Sequence, residues 1–171
     1  MTQIIELLAP AIVAQRPSLI ALLQDAVDRG ASIGFLPPLA ADEAERYWDG
    51  VAAEQAAGAR LVFAALHADR IVGAIQLALV PKPNARHRAE IQKLLVVSSA
   101  RQQGLGRALM LAVELAARQA ERSLLVLDTR QGDVAERLYR SLGYVEAGVI
   151  PGYARSANGK LDACVFFYKL L

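Results

Sequence analysis

The sequence predicts an α+β protein, an α/β sandwich whose mixed, mostly antiparallel central sheet carries helices on both faces. Three observations lead to this fold class. Two helical segments precede residue 60, three apolar β-branched runs then follow one another without a helix, and helices alternate with strands in the last third. Because the middle strands lack intervening helices, a regular doubly wound fold is not expected.

The first half contains a short strand, two helices and a hairpin. Residues 3–8 suit a strand, and residues 11–29 have apolar side chains at helical spacing that end at Gly30. After a connection with Pro37-Pro38, residues 42–57 form a second helix with acidic residues in its first turn. Residues 61–66 and 70–80 then predict two strands joined at His67-Ala-Asp-Arg70.

The second half continues with a strand over 89–97, a strong helix over 105–119 and a strand over 123–128. A helix over 134–142 ends at Gly143, which is a good left-handed cap. The final strands cover 144–150 and 161–170, with Asn158-Gly159 as a turn signal in the connection between them.

Composition and charge limit the classes of function. The chain has 171 residues, 54% of them hydrophobic and 21% charged, which predicts a single domain over 1–171 with a core that needs neither disulfides nor metal. One cysteine and two histidines give no metal-ligand spacing, so we expect no metal. The net charge of +2, with basic residues dispersed, gives no reason to expect nucleic acid binding.

Location and assembly are predicted from the same features. No secretory signal is recognisable, and charges interrupt each apolar run before it reaches the length of a membrane span. We therefore expect a cytoplasmic protein that does not bind membranes. A monomer and a homodimer both remain open.

The most informative segment joins the strand over 89–97 to the following helix. It reads Arg101-Gln-Gln-Gly104-Leu-Gly106-Arg107 and is called the glycine loop below. Glycines let backbone N–H groups approach an anion, the start of a helix favours a phosphate, and arginines add charge-assisted hydrogen bonds. An ordinary strand-to-helix turn is the alternative. The loop is neither a P-loop, which needs Gly-Lys-Ser/Thr, nor a complete dinucleotide fingerprint, since position 109 is Leu.

Two motifs resemble the signatures of one enzyme superfamily. Arg101-x-x-Gly104-x-Gly106 resembles the [Gln/Arg]-x-x-Gly-x-[Gly/Ala] signature of the GNAT acetyltransferases, and Ala135-x-x-Leu-Tyr139-x-x-Leu-Gly143-Tyr resembles their second signature. The resemblance implies a GNAT-like fold, acetyl-CoA as co-substrate and the chemistry of an acyl-CoA-dependent N-acetyltransferase. The residues that it assigns to the cofactor are Leu95, Val96, Val97, Arg101, Gln102, Gln103, Gly104, Leu105, Gly106, Arg107 and Ala108.

Further segments resemble the tabtoxin-resistance acetyltransferases, which acetylate an amine on a small β-lactam amino acid. They are Gly30-Ala-Ser-Ile-Gly-Phe35, Ala89-Glu-Ile-Gln-Lys-Leu94, Leu127-Asp-Thr129, and Leu161 with the preceding Pro151-Gly-Tyr153. This resemblance implies a primary amine of a small molecule as the acceptor, with an amino acid or a β-lactam-type toxin among the candidates. A protein or peptide acceptor, and a catalytically silent CoA-binding module, remain alternatives.

Acetyl transfer needs a base for the amine, a donor for the carbonyl oxygen and an acid for the leaving thiolate. The resemblance assigns the acid to Tyr139, which should point off the core-facing row of Val134, Leu138 and Leu142; a packing tyrosine is the alternative. Glu90 is the candidate base, because a carboxylate in an apolar strand is costly without a role or partner.

Glu90 has an alternative, Asp128 is the third candidate catalytic residue, and Lys93 or Gln92 should face the substrate. A solvated Glu90 paired with Arg86 or Arg88 is the alternative to the base role. Asp128, at the predicted end of its strand, could bind the acceptor ammonium or share the base role, and the competing interpretation is an Asx-turn with Thr129. Lys93 and Gln92 alternate around the strand of Glu90, so one of them should face the substrate.

Aromatic residues of the first half could line the acceptor pocket, although such residues more often complete a core. A departure from the family's pattern is also present: Gly132 stands where an asparagine often contacts pantetheine. The tentative substrate residues are Phe35, Trp48, Lys93 and Tyr153, with Tyr47 as a further pocket candidate.

Overall fold

The computed structural model describes residues 2–171. In chain order its elements are β1 (Gln3–Glu6), α1 (Ala9–Ala14), α2 (Arg16–Asp28), α3 (Ala41–Ala56), β2 (Arg60–His67), β3 (Arg70–Leu79), β4 (Arg88–Val96), α4 (Leu105–Gln119), β5 (Leu124–Arg130), α5 (Ala135–Ser141), β6 (Val145–Arg155) and β7 (Leu161–Leu170). Short 3₁₀ turns at Pro83–Ala85 and Ser98–Ala100 flank β4.

One seven-stranded sheet runs through the molecule in the order β1-β2-β3-β4-β5-β7-β6. β4 and β5 pair parallel, and every other neighbouring pair is antiparallel. Helices α1, α2 and α3 pack on one face, and α4 and α5 cover the other. The predicted mixed, mostly antiparallel sheet with helices on both faces is therefore confirmed.

Each face of the sheet has its own apolar core. On the α1–α3 face, alternate β2 residues such as Val62 and Ala64 meet Leu19, Leu23 and Trp48. On the other face, α4 packs against the intervening side chains of the same strands, because successive strand residues point to opposite sides. The alternation also fixes which polar side chains share a face, and this places the candidate site.

The hairpin between β2 and β3 turns at the predicted residues, His67 to Arg70. Ala68 and Asp69 have φ of 47° and 60°, so both central residues adopt the left-handed conformation of a type I′ turn. At the β6–β7 turn Gly159 has φ of 83°, which confirms Asn158-Gly159 as the turn signal.

Three predicted elements differ from the structure. The helix expected over 11–29 is two helices, because Pro17 lacks an N–H group and starts α2 instead of continuing α1. The connection expected after residue 150 is part of β6, whose register shifts between Ile150 and Ala154 to accommodate Pro151. β5 continues to Arg130, beyond its predicted end at Asp128. Among the helices of residues 2–171, none is both long and apolar enough to cross a membrane.

Candidate functional site

The parallel pair β4–β5 opens into a V. The strands pair over Arg88–Glu90 and Leu124–Val126 and then part, although β4 continues to Val96 and β5 to Arg130. Backbone groups that face the gap therefore have no partner on the opposite strand. An extended ligand can lie there and use them, since unpaired N–H groups need hydrogen-bond acceptors.

The glycine loop lies beyond the end of β4 and opens α4. Gly104 caps the helix with φ of 78°, and no side chain bonds to the first N–H groups of the helix. Gln102, at φ of 62°, is also left-handed. A Cβ at Gly106 would lie 3.3 Å from Leu138 Cδ2, so glycine permits α4 to pack closely on α5. The loop thus has the uncapped helix start that an anion would need.

Both loop arginines are exposed and lightly held. Arg101 Nε donates to the Val96 carbonyl at 3.1 Å, and Arg107 Nη2 donates to the Ser141 carbonyl at 3.3 Å. Each guanidinium keeps further N–H donors. The structure brings these arginines and glycines together at the start of α4; their contact with a cofactor stays a prediction.

Tyr139 lies deeper than the sequence predicted. Its side chain is only 6% exposed and packs with Tyr144 and Phe167, at ring-centroid distances of 6.1 and 5.9 Å. The expected core-facing row is wrong in one member, because Val134 precedes α5 and is 83% exposed. Leu142 packs in the core as expected, and Tyr139 packs with it rather than pointing away.

The electrostatics of Tyr139 keep its hydroxyl protonated. Burial raises the pKa of Tyr139, and the carboxylates of Asp128 and Asp133 raise it further. A tyrosine that retains its proton at neutral pH has the protonation state of a general acid. The packing alternative is what the structure shows for the ring, and a role of the hydroxyl as the acid stays a prediction.

Glu90 and Asp128 share one face of the sheet, the face covered by α1–α3. Ala89 and Ile91 point to α4, as do Leu125 and Leu127. Glu90, between the first two, and Asp128, next to Leu127, therefore point the other way. Glu90 accepts a hydrogen bond from Gln92 Nε2 at 2.9 Å, and no ion pair joins it to Arg86 or Arg88 among the described residues. Both carboxylates lie where β4 and β5 begin to part.

Asp128 is exposed within β5, opposite Phe166 of β7, so the competing Asx-turn with Thr129 is excluded. The Cys164 thiol donates to its Oδ2 at 3.1 Å. Burial, together with this carboxylate, raises the pKa of Cys164 to about 12. The thiol is therefore a neutral donor that orients Asp128.

A β-bulge brings Lys93 to the same face. Ala74 pairs with Leu95 and Gln76 pairs with Gln92, so Lys93 and Leu94 together oppose one residue of β3. Lys93 has φ of 52°, and the alternation of β4 reverses after it. The expectation that only one of Gln92 and Lys93 would face the substrate side is corrected: both do.

A polar network that the sequence analysis missed lies beneath these groups. Arg60 Nη1 donates to Gln76 Oε1 at 2.6 Å and to Gln92 Oε1 at 2.7 Å, and the Tyr47 hydroxyl donates to Gln76 Oε1 at 3.0 Å. Glu54 pairs with Arg60 at 2.5 Å. Gln76, fully buried in the apolar run of β3, was the available signal, since a buried amide requires partners. The network fixes the orientation of Gln92 and, through it, of Glu90.

Of the candidate substrate residues, Phe35 and Tyr153 are accessible at a cavity or at the surface, whereas Trp48 belongs to the core. Phe35 lines a cavity of about 210 Å³ with Gly34, Arg130 and Arg155. Tyr153 is 51% exposed and lies in β6 rather than in a loop, with its ring 5.2 Å from that of Phe166. Trp48 is fully buried in the α1–α3 core, so its expected place in the pocket is wrong and core packing is its role.

Gly132 is a helix-entry residue. It has φ of 87°, and its N–H donates to Glu136 Oε1 at 2.6 Å, which ties the segment before α5 to the first turn of that helix. Neighbouring Asp133 is held by Arg130 through hydrogen bonds of 2.9 and 3.2 Å. What replaces the pantetheine-contacting asparagine stays a prediction. Among the described residues, no three His, Cys, Asp or Glu side chains form a group that could hold a metal ion.

A family model for the acetyltransferase (GNAT) family matches residues 21–144. The chain belongs to the GNAT acetyltransferase family. The predicted identity as an acyl-CoA-dependent N-acetyltransferase is thereby confirmed at the level of the family, and both sequence signatures lie within the matched residues.

Individual relatives agree with this assignment. An uncharacterized N-acetyltransferase from the hisH–hisA intergenic region of Azospirillum brasilense is 35% identical over 109 residues, which is 63% of each chain. The match thus spans somewhat less than two thirds of that relative.

Solved structures share the fold of this GNAT protein over almost its whole length. A ribosomal-protein-alanine N-acetyltransferase from Brucella melitensis has a TM-score of 0.83 at 24% identity, with 99% of each chain covered. A putative acetyltransferase from Salmonella typhimurium, described with its cofactor acetyl-CoA, has a TM-score of 0.81 at 19% identity, covering 100% of this chain and 94% of that one.

Proposed function

We propose that the protein transfers the acetyl group of acetyl-CoA to a primary amine of a small molecule. The observation that carries this proposal is the V between β4 and β5. The glycine loop lies beyond one arm of the V, Tyr139 lies on one face of the sheet, and Glu90 and Asp128 lie on the other face. A thioester in the gap would therefore have an acid and a base on opposite sides.

The glycine loop and β4 have the binding roles. The N–H groups at the start of α4, with Arg101 and Arg107, bind the pyrophosphate, and the loop residues Gln102, Gln103, Leu105 and Ala108 surround it. Backbone groups of Leu95, Val96 and Val97 follow the pantetheine arm along the unpaired edge of β4. Acetyl-CoA supplies the acetyl group as an activated thioester. The N–H groups of β4 that face the gap stabilise negative charge on its carbonyl oxygen.

The side chains move two protons. Glu90 or Asp128 accepts one proton from the acceptor ammonium, so that the amine can form the new N–C bond. Tyr139 donates its proton to the sulfur as the C–S bond breaks, and it regains one from the second amine proton. One proton thus leaves through the carboxylate and the other reaches the thiol.

The cavity beside Phe35 supports a small acceptor. Its volume of about 210 Å³ suits a small molecule rather than a folded protein segment, and Glu90, Asp128 and Tyr139 are not among the residues that line it. The segments that resemble the tabtoxin-resistance enzymes, including Gly30–Phe35, contribute Gly34 and Phe35 to this cavity. They support an amino acid or a β-lactam-type toxin as acceptor, and with it a role in toxin resistance.

A peptide or protein amine is the second candidate. It is favoured by the fold shared with the Brucella ribosomal-protein-alanine N-acetyltransferase, a similarity that at 24% identity concerns architecture alone. A CoA-binding module without catalysis is a third candidate. Glu90 and Asp128 argue against it, because both carboxylates lie where β4 and β5 part, and a module that only binds CoA would not need them there.

One assay tests the proposal: acetyl-CoA-dependent release of thiol in the presence of amino acids, amino-β-lactams, polyamines and peptides. We expect release with small amines at rates well above those with peptides. Tight CoA binding without release for any acceptor would sink the enzymatic proposal, and release with peptides alone would establish the second candidate.

A further inference from the structure

Lys93 is an ammonium without an anionic partner on the acceptor face of the sheet. Its Nζ lies 6.0 Å from the ring centroid of Phe35 and 5.8 Å from that of Tyr47. A Cβ at Gly34 would lie 3.8 Å from the same atom, so Lys93 packs behind Gly34, a residue that lines the 210 Å³ cavity. Within residues 2–171 it forms no salt bridge.

The surroundings of Lys93 destabilise its protonated form. Burial lowers its pKa, the Arg60 guanidinium lowers it further, and the carboxylates of Asp128 and Glu90 offset part of this. Aromatic faces compensate only weakly for lost hydration. An anion from a ligand would recover the electrostatic stabilisation that the protein alone does not supply.

The other cations nearby already have partners. Arg60 binds Glu54 and two glutamine oxygens, and Arg130 binds Asp133, the Gly30 carbonyl and Ser156. Arg155, which lines the same cavity, forms no salt bridge within residues 2–171 and donates to the Gly159 carbonyl at 2.8 Å. The acceptor face therefore presents two carboxylates, Glu90 and Asp128, together with the ammonium of Lys93. This charge pattern complements a zwitterion.

We propose that Lys93 binds a carboxylate of the acceptor, and that the acceptor is a small amino acid-type molecule whose ammonium faces Glu90 and Asp128. The inference rests on the proposed function and narrows its substrate class. The bulge in β4 carries the specificity, because without the left-handed residue at 93 the lysine would point to α4. A polyamine has no carboxylate to offer, and it would meet an opposing cation at this position.

The test compares L-amino acids with their primary amides, which keep the amine and lose the carboxylate. For the wild-type protein we expect kcat/KM to be about tenfold or more higher for the acids than for the amides. Lys93→Met should reduce this ratio about tenfold, and Lys93→Arg should retain most of it. Comparing ratios between variants cancels the intrinsic reactivity difference between the two amines.

Lys82→Met is the matched control, since it removes the same charge from an exposed position outside the site. Its acid-to-amide ratio should equal that of the wild type. No preference for the acids in the wild type would overturn the inference even if the variants failed to fold. An equal loss for acid and amide in Lys93→Met would also overturn it, because Lys93 would then act on the shared thioester.

The outcomes separate the two proposals. If neither acids, amides nor simple amines cause thiol release, the proposed function itself fails. If amides and simple amines are acetylated with the same kcat/KM as the acids, the proposed function stands and the assignment of Lys93 falls.

Discussion

At the scale of single residues, Tyr139 and Asp128 approach the parting strands from opposite faces of the sheet. The carboxylate adds to the rise in the pKa of Tyr139 that burial causes, although the two side chains belong to different elements. The Tyr139 hydroxyl therefore keeps its proton through neutral pH, as the proposed role of an acid requires, and the Asp128 carboxylate is exposed. Removing only the hydroxyl of Tyr139 separates its chemical contribution from the packing of the ring.

Tyr139→Phe should lower kcat about a hundredfold, because a positioned general acid contributes roughly that much or more. The KM for acetyl-CoA should stay within about twofold, since the ring packing is kept. Steady-state kinetics with the best acceptor gives both values.

Tyr144→Phe is the control for Tyr139→Phe. Tyr144 lies in the same core, its ring is 6.1 Å from that of Tyr139, and its hydroxyl is buried without a hydrogen-bond partner. Its removal should leave kcat nearly unchanged. Equal effects of the two substitutions would remove Tyr139 from the proton transfer.

At the scale of elements, the strand–loop–helix unit of β4, the glycine loop and α4 places the site. Its glycines were readable from the sequence, because only glycine fulfils both the left-handed cap at 104 and the close packing at 106. The bulge at Lys93 was not readable, since it arises from pairing with β3 and a lysine gives no signal for a positive φ. Only the structure therefore shows to which face of the sheet the side chains of Gln92 and Lys93 point.

Gly104→Leu should raise the KM for acetyl-CoA about tenfold or more, because its side chain would occupy the space where the pyrophosphate is expected. The left-handed backbone adds a stability loss of about 1–2 kcal/mol. Acetyl-CoA titrations at saturating acceptor measure the KM, and chemical denaturation measures the stability.

Gly159→Leu is the control for Gly104→Leu, because it makes the same substitution at a left-handed glycine outside the glycine loop. Gly159 has φ of 83° against 78° at Gly104, and a Cβ at either position meets nothing within 4 Å. It should lose similar stability with an unchanged KM. A comparable rise in KM for both variants would show that the glycine loop does not hold the pyrophosphate.

At the scale of the whole molecule, one apolar core lies on each face of a single sheet. This architecture was predictable from the sequence, because hydrophobic periodicity indicates which side chains are buried. The places of Trp48 and Tyr139 were harder to predict, since both aromatic side chains serve cores as readily as pockets. The network of Arg60, Gln76 and Gln92 joins the consecutive strands β2, β3 and β4, and it depends on their exact register, which the sequence does not define.

A buried ion pair on the α4 face tests how firmly the scaffold is held. Lys169 of β7 donates to Glu114 Oε2 and to the Leu142 carbonyl, both at 2.7 Å, and thereby joins α4, the end of α5 and the sheet. Glu114 is only 3% exposed. Lys169→Met should lower the free energy of unfolding by about 3–5 kcal/mol, because it leaves a buried carboxylate without its cation.

The double variant Glu114→Leu/Lys169→Met should regain most of this loss, since a well-packed apolar pair can replace a buried ion pair without a net cost. Lys160→Met, at an exposed turn position, should change the free energy of unfolding by less than about 0.5 kcal/mol. Denaturant unfolding monitored by circular dichroism measures all three variants. A double variant no more stable than Lys169→Met would mean that Lys169 acts mainly through the Leu142 carbonyl at the end of α5, and not through the charge of Glu114.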